Sequence, residues 1–179
     1  MNRKPVQLVW LVLLILPVVT LPGHSAAQAG FTSAYTDLNT QCRYGRAAAE
    51  GSDAPLYCAG YGDYRLLVSF SALAADVFVE SRDRRFSRLV VSGQAPNYAE
   101  QKGRRVEWRL AGGEPFAVIA RAFEYAEGAD GAPDFSWKTG EKLIVKGLEG
   151  YDHIDFTLDA RTPNANARAR QLADDNHHR

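Results

Sequence analysis

The sequence predicts an α+β fold: a mainly antiparallel curled sheet, or partly open barrel, with one helix at the C-terminus. Three observations predict it. Short runs of alternating apolar and polar residues recur from Arg65 to Asp159. They follow one another without the strand–helix alternation of a parallel sheet. The sole strong helical pattern lies at the end, in "RTPNANARARQLADD".

The elements follow in order. Gly30 to Gln41 has no clear period and reads as extended. Arg43 to Tyr57 is rich in Ala and Gly, contains "SDAP", and reads as a surface loop with a helical turn in "GRAAAEG". Leu66, Val68 and Phe70 share one parity and mark the first clear strand. Val77 and Val79 mark a second, with "SALAAD" as the connection. Leu89 to Ser92 fits either strand or loop. In "RRVEWRL", Val106, Trp108 and Leu110 point one way, Glu107 and Arg109 the other. Ala111 to Glu114 fits a hairpin turn. "PFAVIARAFEY" is apolar on both parities, as expected of a central strand covered on both faces. Glu127 to Gly140 reads as a loop carrying Trp137. "KLIVKGL" returns as a strand, and "HIDFTLD" alternates with Ile154, Phe156 and Leu158 inward. Thr162 is placed to cap the final helix and Pro163 to occupy its first turn. Ala165, Ala169, Leu172 and Ala173 form its apolar stripe. Asp174 and Asp175 oppose the helix dipole, so fraying is expected there.

The first 29 residues read as an export signal. Arg3 and Lys4 precede an apolar stretch from Val6 to Leu21, and "AQA" ends at Ala29. That stretch is shorter than the ~20 apolar residues of a membrane-spanning helix. Cleavage after Ala29 leaves residues 30–179 as one periplasmic or secreted domain. An uncleaved anchor is the alternative. The whole chain carries 21 basic and 21 acidic residues, so loss of Arg3 and Lys4 leaves a formal charge of −2. This near-neutral balance argues against a nucleic-acid binder.

Cys42 and Cys58 are the two cysteines. In an oxidising compartment they are expected to form one disulfide. They are too distant for a CxxC redox motif, and two cysteines without nearby histidines make a poor zinc site.

No G-x-S-x-G, H-E-x-x-H or phosphate-loop motif occurs, and no cofactor is expected. His153 and Asp155 lie two apart on an outward strand face. They form a possible acid–base pair, or a solvated polar face. His177 and His178 after Asp174 and Asp175 offer at most a weak metal site on a terminus. Arg82, Arg84, Arg85 and Arg88 surround Asp83, and Lys102, Arg104 and Arg105 follow. Together they would make a basic patch if adjacent, or solvated connections if not. Asp130, Asp134 and Glu141 do not match a calcium loop. Trp137 is either an exposed contact or a plug on a sheet edge. Tyr57, Tyr61 and Tyr64 flank Cys58, Gly60 and Gly62; some would pack on the disulfide, while Tyr61 and Tyr64 are candidate contacts.

The segments "YTDLNTQC", "YCAGYGDY", "VEWRL" and "PNANARARQLAD" resemble an uncharacterised family of exported proteobacterial proteins. The resemblance implies a shared exported domain and carries no catalytic residues with it. Thr162 stands where that family commonly has Asn, and the additional C-terminal cysteines of some relatives are absent. "LYCAGYGDYRLLVSF" is also similar to small β-barrel periplasmic lysozyme inhibitors, with "VSGQAPNY" as the loose counterpart of their Ser-Gly loop.

The expected role is a non-catalytic exported binding or inhibitor-like protein. Its contact residues would be Tyr61, Tyr64, Arg82, Arg84, Arg85, Arg88 and Trp137. The expected partner is an envelope protein or an anionic envelope polymer. The alternatives are an envelope-acting enzyme using His153 and Asp155, or a structural envelope component.

Overall fold

The structure is a computed structural model that describes residues 30–47, 53–71 and 74–179. The expected signal segment, and most of "GRAAAEG", lie outside the described residues. Among the described residues, ten strands and one helix occur in chain order: β1 (Thr32–Asp37), β2 (Cys42–Tyr44), β3 (Leu56–Cys58), β4 (Tyr64–Ser71), β5 (Ala74–Ser81), β6 (Ser87–Gln94), β7 (Arg105–Ala111), β8 (Glu114–Glu127), β9 (Pro133–Gly147), β10 (Asp155–Asp159) and α1 (Ala165–Asp175). A short 3-10 turn spans Tyr98–Glu100.

The α+β expectation holds, in a definite form. The strands build two five-stranded sheets rather than one. The front sheet has the order β1-β7-β8-β9-β10 and the back sheet β2-β3-β4-β5-β6. All pairings are antiparallel. Among the described residues, neither sheet closes into a barrel.

Alternation decides what each sheet buries. Leu66, Val68, Val77 and Val79 from the back sheet meet Val106, Trp108, Leu110 and Val118 from the front sheet in one core. The second face of the front sheet presents Ile119, Leu143 and Val145 to Ala165, Ala169 and Ala173 of α1. Strand β8 therefore lies between two apolar layers, which is why both of its parities are apolar. Alanine along the helix stripe lets α1 lie close on the sheet.

Cys42 and Cys58 sit opposite each other in the β2–β3 pair and form the expected disulfide. It closes a loop with a sequence separation of 16. Closing such a loop stabilises by about 3 kcal/mol in the chain-entropy account.

Three local expectations change. Glu127 to Gly140 is not a long loop: β8 runs to Glu127 and β9 starts at Pro133. The Gly, Asp and Pro content is absorbed by a five-residue turn and by a bulge opposite Tyr125 and Ala126. Trp137 is thus a strand residue within that bulge, between Asp134 and Lys138. The helix starts after Asn164, which adopts a left-handed φ of 58°, and not at Thr162. At its other end the helix runs through Asp175, and Arg109 Nε and Nη2 donate to the two Asp174 carboxylate oxygens at 3.0 and 2.6 Å.

Candidate functional site

Two of the sequence-selected contact residues, Tyr64 and Arg82, meet in one cleft of about 480 Å³. Turns from both sheets build it. The β3–β4 turn supplies Asp63, and the β5–β6 turn supplies Ser81 and Asp83. The front sheet adds Glu114 and Pro115 at the start of β8, and Glu149 and Tyr151 from the β9–β10 connection.

Two glycines position the back-sheet wall. Gly62 has a φ of +57°, which L side chains rarely adopt. A Cβ on Gly60 would lie 1.8 Å from the Tyr64 carbonyl oxygen. The chain therefore turns sharply after Cys58 and brings Tyr64 back to the cleft. The Tyr64 ring meets Phe86 edge to face at 5.9 Å. Burial, and next the Glu149 carboxylate, raise the Tyr64 phenol above its ordinary value. Arg82 ties the two turns together: its backbone N–H donates to Asp63 O at 2.7 Å and its Nε to Gly62 O at 3.1 Å.

The arginine cluster does not act as one basic patch. Asp83 accepts from Ser81 Oγ at 2.6 Å, and from the Arg85 backbone N–H and Nε at 3.1 and 2.6 Å. The Ser81 bond, then Arg85, holds the Asp83 carboxyl at about 2. Arg84 occupies the left-handed position of this turn, at φ 63°. Arg88 is different again. It reaches from β6 to the front sheet, donating to Gly147 O and Asp152 O at 3.1 Å each and pairing with Asp152 and Asp155 at 3.3 Å. It is a strut between the sheets rather than a surface contact. Lys102, Arg104 and Arg105 follow the far end of β6 and do not join this cluster: Gln94, at that end, bonds to Phe123, whereas Arg88 bonds to Gly147.

Four carboxylates and one arginine line the cleft, so its sign is the reverse of a basic patch. Tyr61 is half-buried against the inter-sheet core. Trp137 is 65% exposed, beside the Tyr125 end of β8 and so at the opposite end of that strand from Pro115. The sequence-selected residues therefore divide between two ends of the molecule.

His153 and Asp155 do not form a pair. His153 Nε2 donates to the Asn176 carbonyl oxygen at 2.8 Å. Asp155 accepts from Lys146 Nζ at 2.6 and 2.7 Å, and this contact, followed by Arg88, lowers its pKa. His177 is a packing residue: its ring stacks on Tyr151 at 5.2 Å and meets Phe116 at 4.7 Å. No group of three or more His, Cys, Asp or Glu side chains able to hold a metal ion occurs among the described residues.

Glu114, Glu149 and Tyr151 were not selected from sequence. Glu114 opens β8, while Glu149 and Tyr151 share the β9–β10 connection, and only long-range packing brings them to Tyr64 and Arg82. Comparison with protein-family models, with curated proteins and with solved structures gives no match. No helix among the described residues is long and apolar enough to cross a membrane.

Proposed function

We propose that this chain is an exported, non-catalytic binding protein of inhibitor-like type that seats a cationic segment of a protein partner in the Tyr64–Arg82 cleft. One observation carries the reading: turns from both sheets converge on a polar cleft of about 480 Å³ whose lining holds Asp63, Asp83, Glu114 and Glu149 against Arg82. Its volume falls within the ~300–1,000 Å³ typical of binding sites. Tyr64 and Tyr151 give it amphipathic aromatic surface, which suits protein contacts. The disulfide and the leader-like first 29 residues support export, as does the resemblance of the Tyr57–Tyr64 and Pro163–Asp174 segments to exported proteins.

The lining moves the expected partner from an anionic polymer to a cationic protein. Opposite charge across an interface steers association and makes it sensitive to salt. The test measures binding of the mature chain to a panel of cationic lysozymes and to basic envelope proteins, beside a Glu149→Lys, Asp63→Lys variant. The expected result is micromolar or tighter binding to one partner, weakened by salt and lost in the charge-reversed variant. Absence of binding across the panel, or equal binding by the variant, would overturn the reading.

A further inference from the structure

Strands β7 and β8 separate at one end. Their pairing starts at Glu107 opposite Ile119, so β8 beyond Ile119 has no ladder partner on that side. Side chains replace the ladder. The Phe123 backbone N–H donates to Gln94 Oε1 at 2.8 Å, Gln94 Nε2 donates to Phe123 O at 3.3 Å, and the Tyr98 hydroxyl donates to Arg121 O.

Arg104 occupies this gap and is only 7% exposed. Its guanidinium carbon lies 4.6 Å from the Tyr98 ring centre and 4.2 Å from that of Phe123. Its Nη2 donates to Gln101 Oε1. Its Nε is buried and has no hydrogen-bond partner among the described residues. Arginine does not shed its proton in a protein. Aromatic faces offset part of the cost of burying the charge, but an idle donor remains costly.

Arg104 borders a cleft of about 240 Å³ between the front sheet and the first turn of α1, with Arg105, Arg121 and Arg170 also in the lining. Glu107 is the carboxylate of that lining, and Arg170 Nε already holds it at 2.6 Å. Arg121 pairs with Glu141 at 2.6 Å. Arg105 reaches Asp37 only at 3.9 Å. Arg104 is thus the arginine of that lining with no carboxylate partner among the described residues, and it carries the idle donor.

We infer that this cleft is a binding site for a small oxyanion, a carboxylate or phosphate group, anchored by Arg104. Guanidinium donors fit such groups in geometry and charge. The volume is below the ~300 Å³ at which drug-sized ligand pockets begin, so the ligand is a small anion or one anionic group of a larger molecule. The site is separate from the Tyr64 cleft and does not depend on it.

The test is an NMR titration of the arginine Nε–H resonances in the ¹⁵N-labelled mature chain. Inorganic phosphate forms one arm and acetate the other, at constant ionic strength set with chloride. The expected result is a saturating shift of the Arg104 resonance in at least one arm, with the exposed Arg84 unmoved; the arm that saturates identifies the anion class. Arg104→Lys keeps the charge without the Nε donor and is expected to weaken binding about tenfold, equal to one decade in the dissociation constant. Arg104→Gln is expected to abolish the saturable rise in melting temperature that the same anion gives the wild type. An Arg104 resonance unmoved in both arms would overturn the site, as would a linear drift shared by all arginines. The wild-type titration decides the matter even if Arg104→Gln does not fold.

Discussion

Trp108 and Arg109 are neighbours on β7 and point to opposite faces of the same sheet. Trp108 is fully buried among valines and leucines, and its Nε1–H donates to Thr36 Oγ1 at 3.0 Å. Arg109 is buried almost as deeply, with 5% of its side chain exposed. Its partners are the Asp174 carboxylate, Ser33 Oγ at 2.5 Å and Thr32 O at 3.1 Å. Beside it, Glu107 accepts from Ser33 and Arg170. One face is closed by apolar packing, the other by alanines and by ion pairs that hold the helix in place. Alternation in a sequence states which residues share a face. It does not state what covers that face.

Substitutions on either face of β7 test how each is held. Trp108→Ala, on the apolar side, is expected to cost about 4 kcal/mol by chemical denaturation, as transfer and cavity costs add. Arg109→Ala is expected to cost about 3 kcal/mol, because it leaves Asp174 partly buried without its counter-charge. The double change Arg109→Met, Asp174→Leu is expected to cost less than the single one, since it removes both charges. If the double change costs as much as the sum of two independent losses, the face is held by something other than the pair. Ala169→Leu is expected to cost about 2 kcal/mol by pushing α1 off the sheet; a neutral result would mean the helix is not closely seated.

The smallest effect concerns pH. Burial, then His178, lowers the pKa of His177, which packs where α1 ends. A lowered histidine favours the neutral form in the folded state. Its stabilisation is complete above the ordinary histidine value of about 6.5 and is lost as pH falls through the lower folded value. The melting temperature should therefore decline as pH drops below about 6.5, and His177→Phe should flatten that part of the curve. An unchanged slope in the variant would remove His177 from the account.

Much of the strand content was legible because the inward faces of β4, β5, β7 and β10 alternate cleanly. The doubly apolar "PFAVIARAFEY" correctly announced a strand covered on both sides, and the two cysteines announced their bond. The division into two sheets was not legible, since long-range pairing leaves no mark in a local period. The burial of Glu107 and Arg109 was hidden for the same reason, because their partners come from β1 and α1. Composition misled at Glu127 to Gly140, where turn-forming residues serve a bulge inside a strand. At the cleft, Tyr64 and Arg82 drew notice through their sequence neighbours. Glu114 and Glu149 were single carboxylates in ordinary turns.

The two ends of the molecule supply the direct test. Hydrogen exchange of residues 30–179, alone and saturated with the cationic protein that binds them most tightly, reports which end is covered. Protection of the turns at 59–64, 81–86 and 148–152, with the Trp137 end unchanged, is the predicted result. Protection around Trp137 with those turns unchanged would contradict the assignment of the acidic cleft as the binding site.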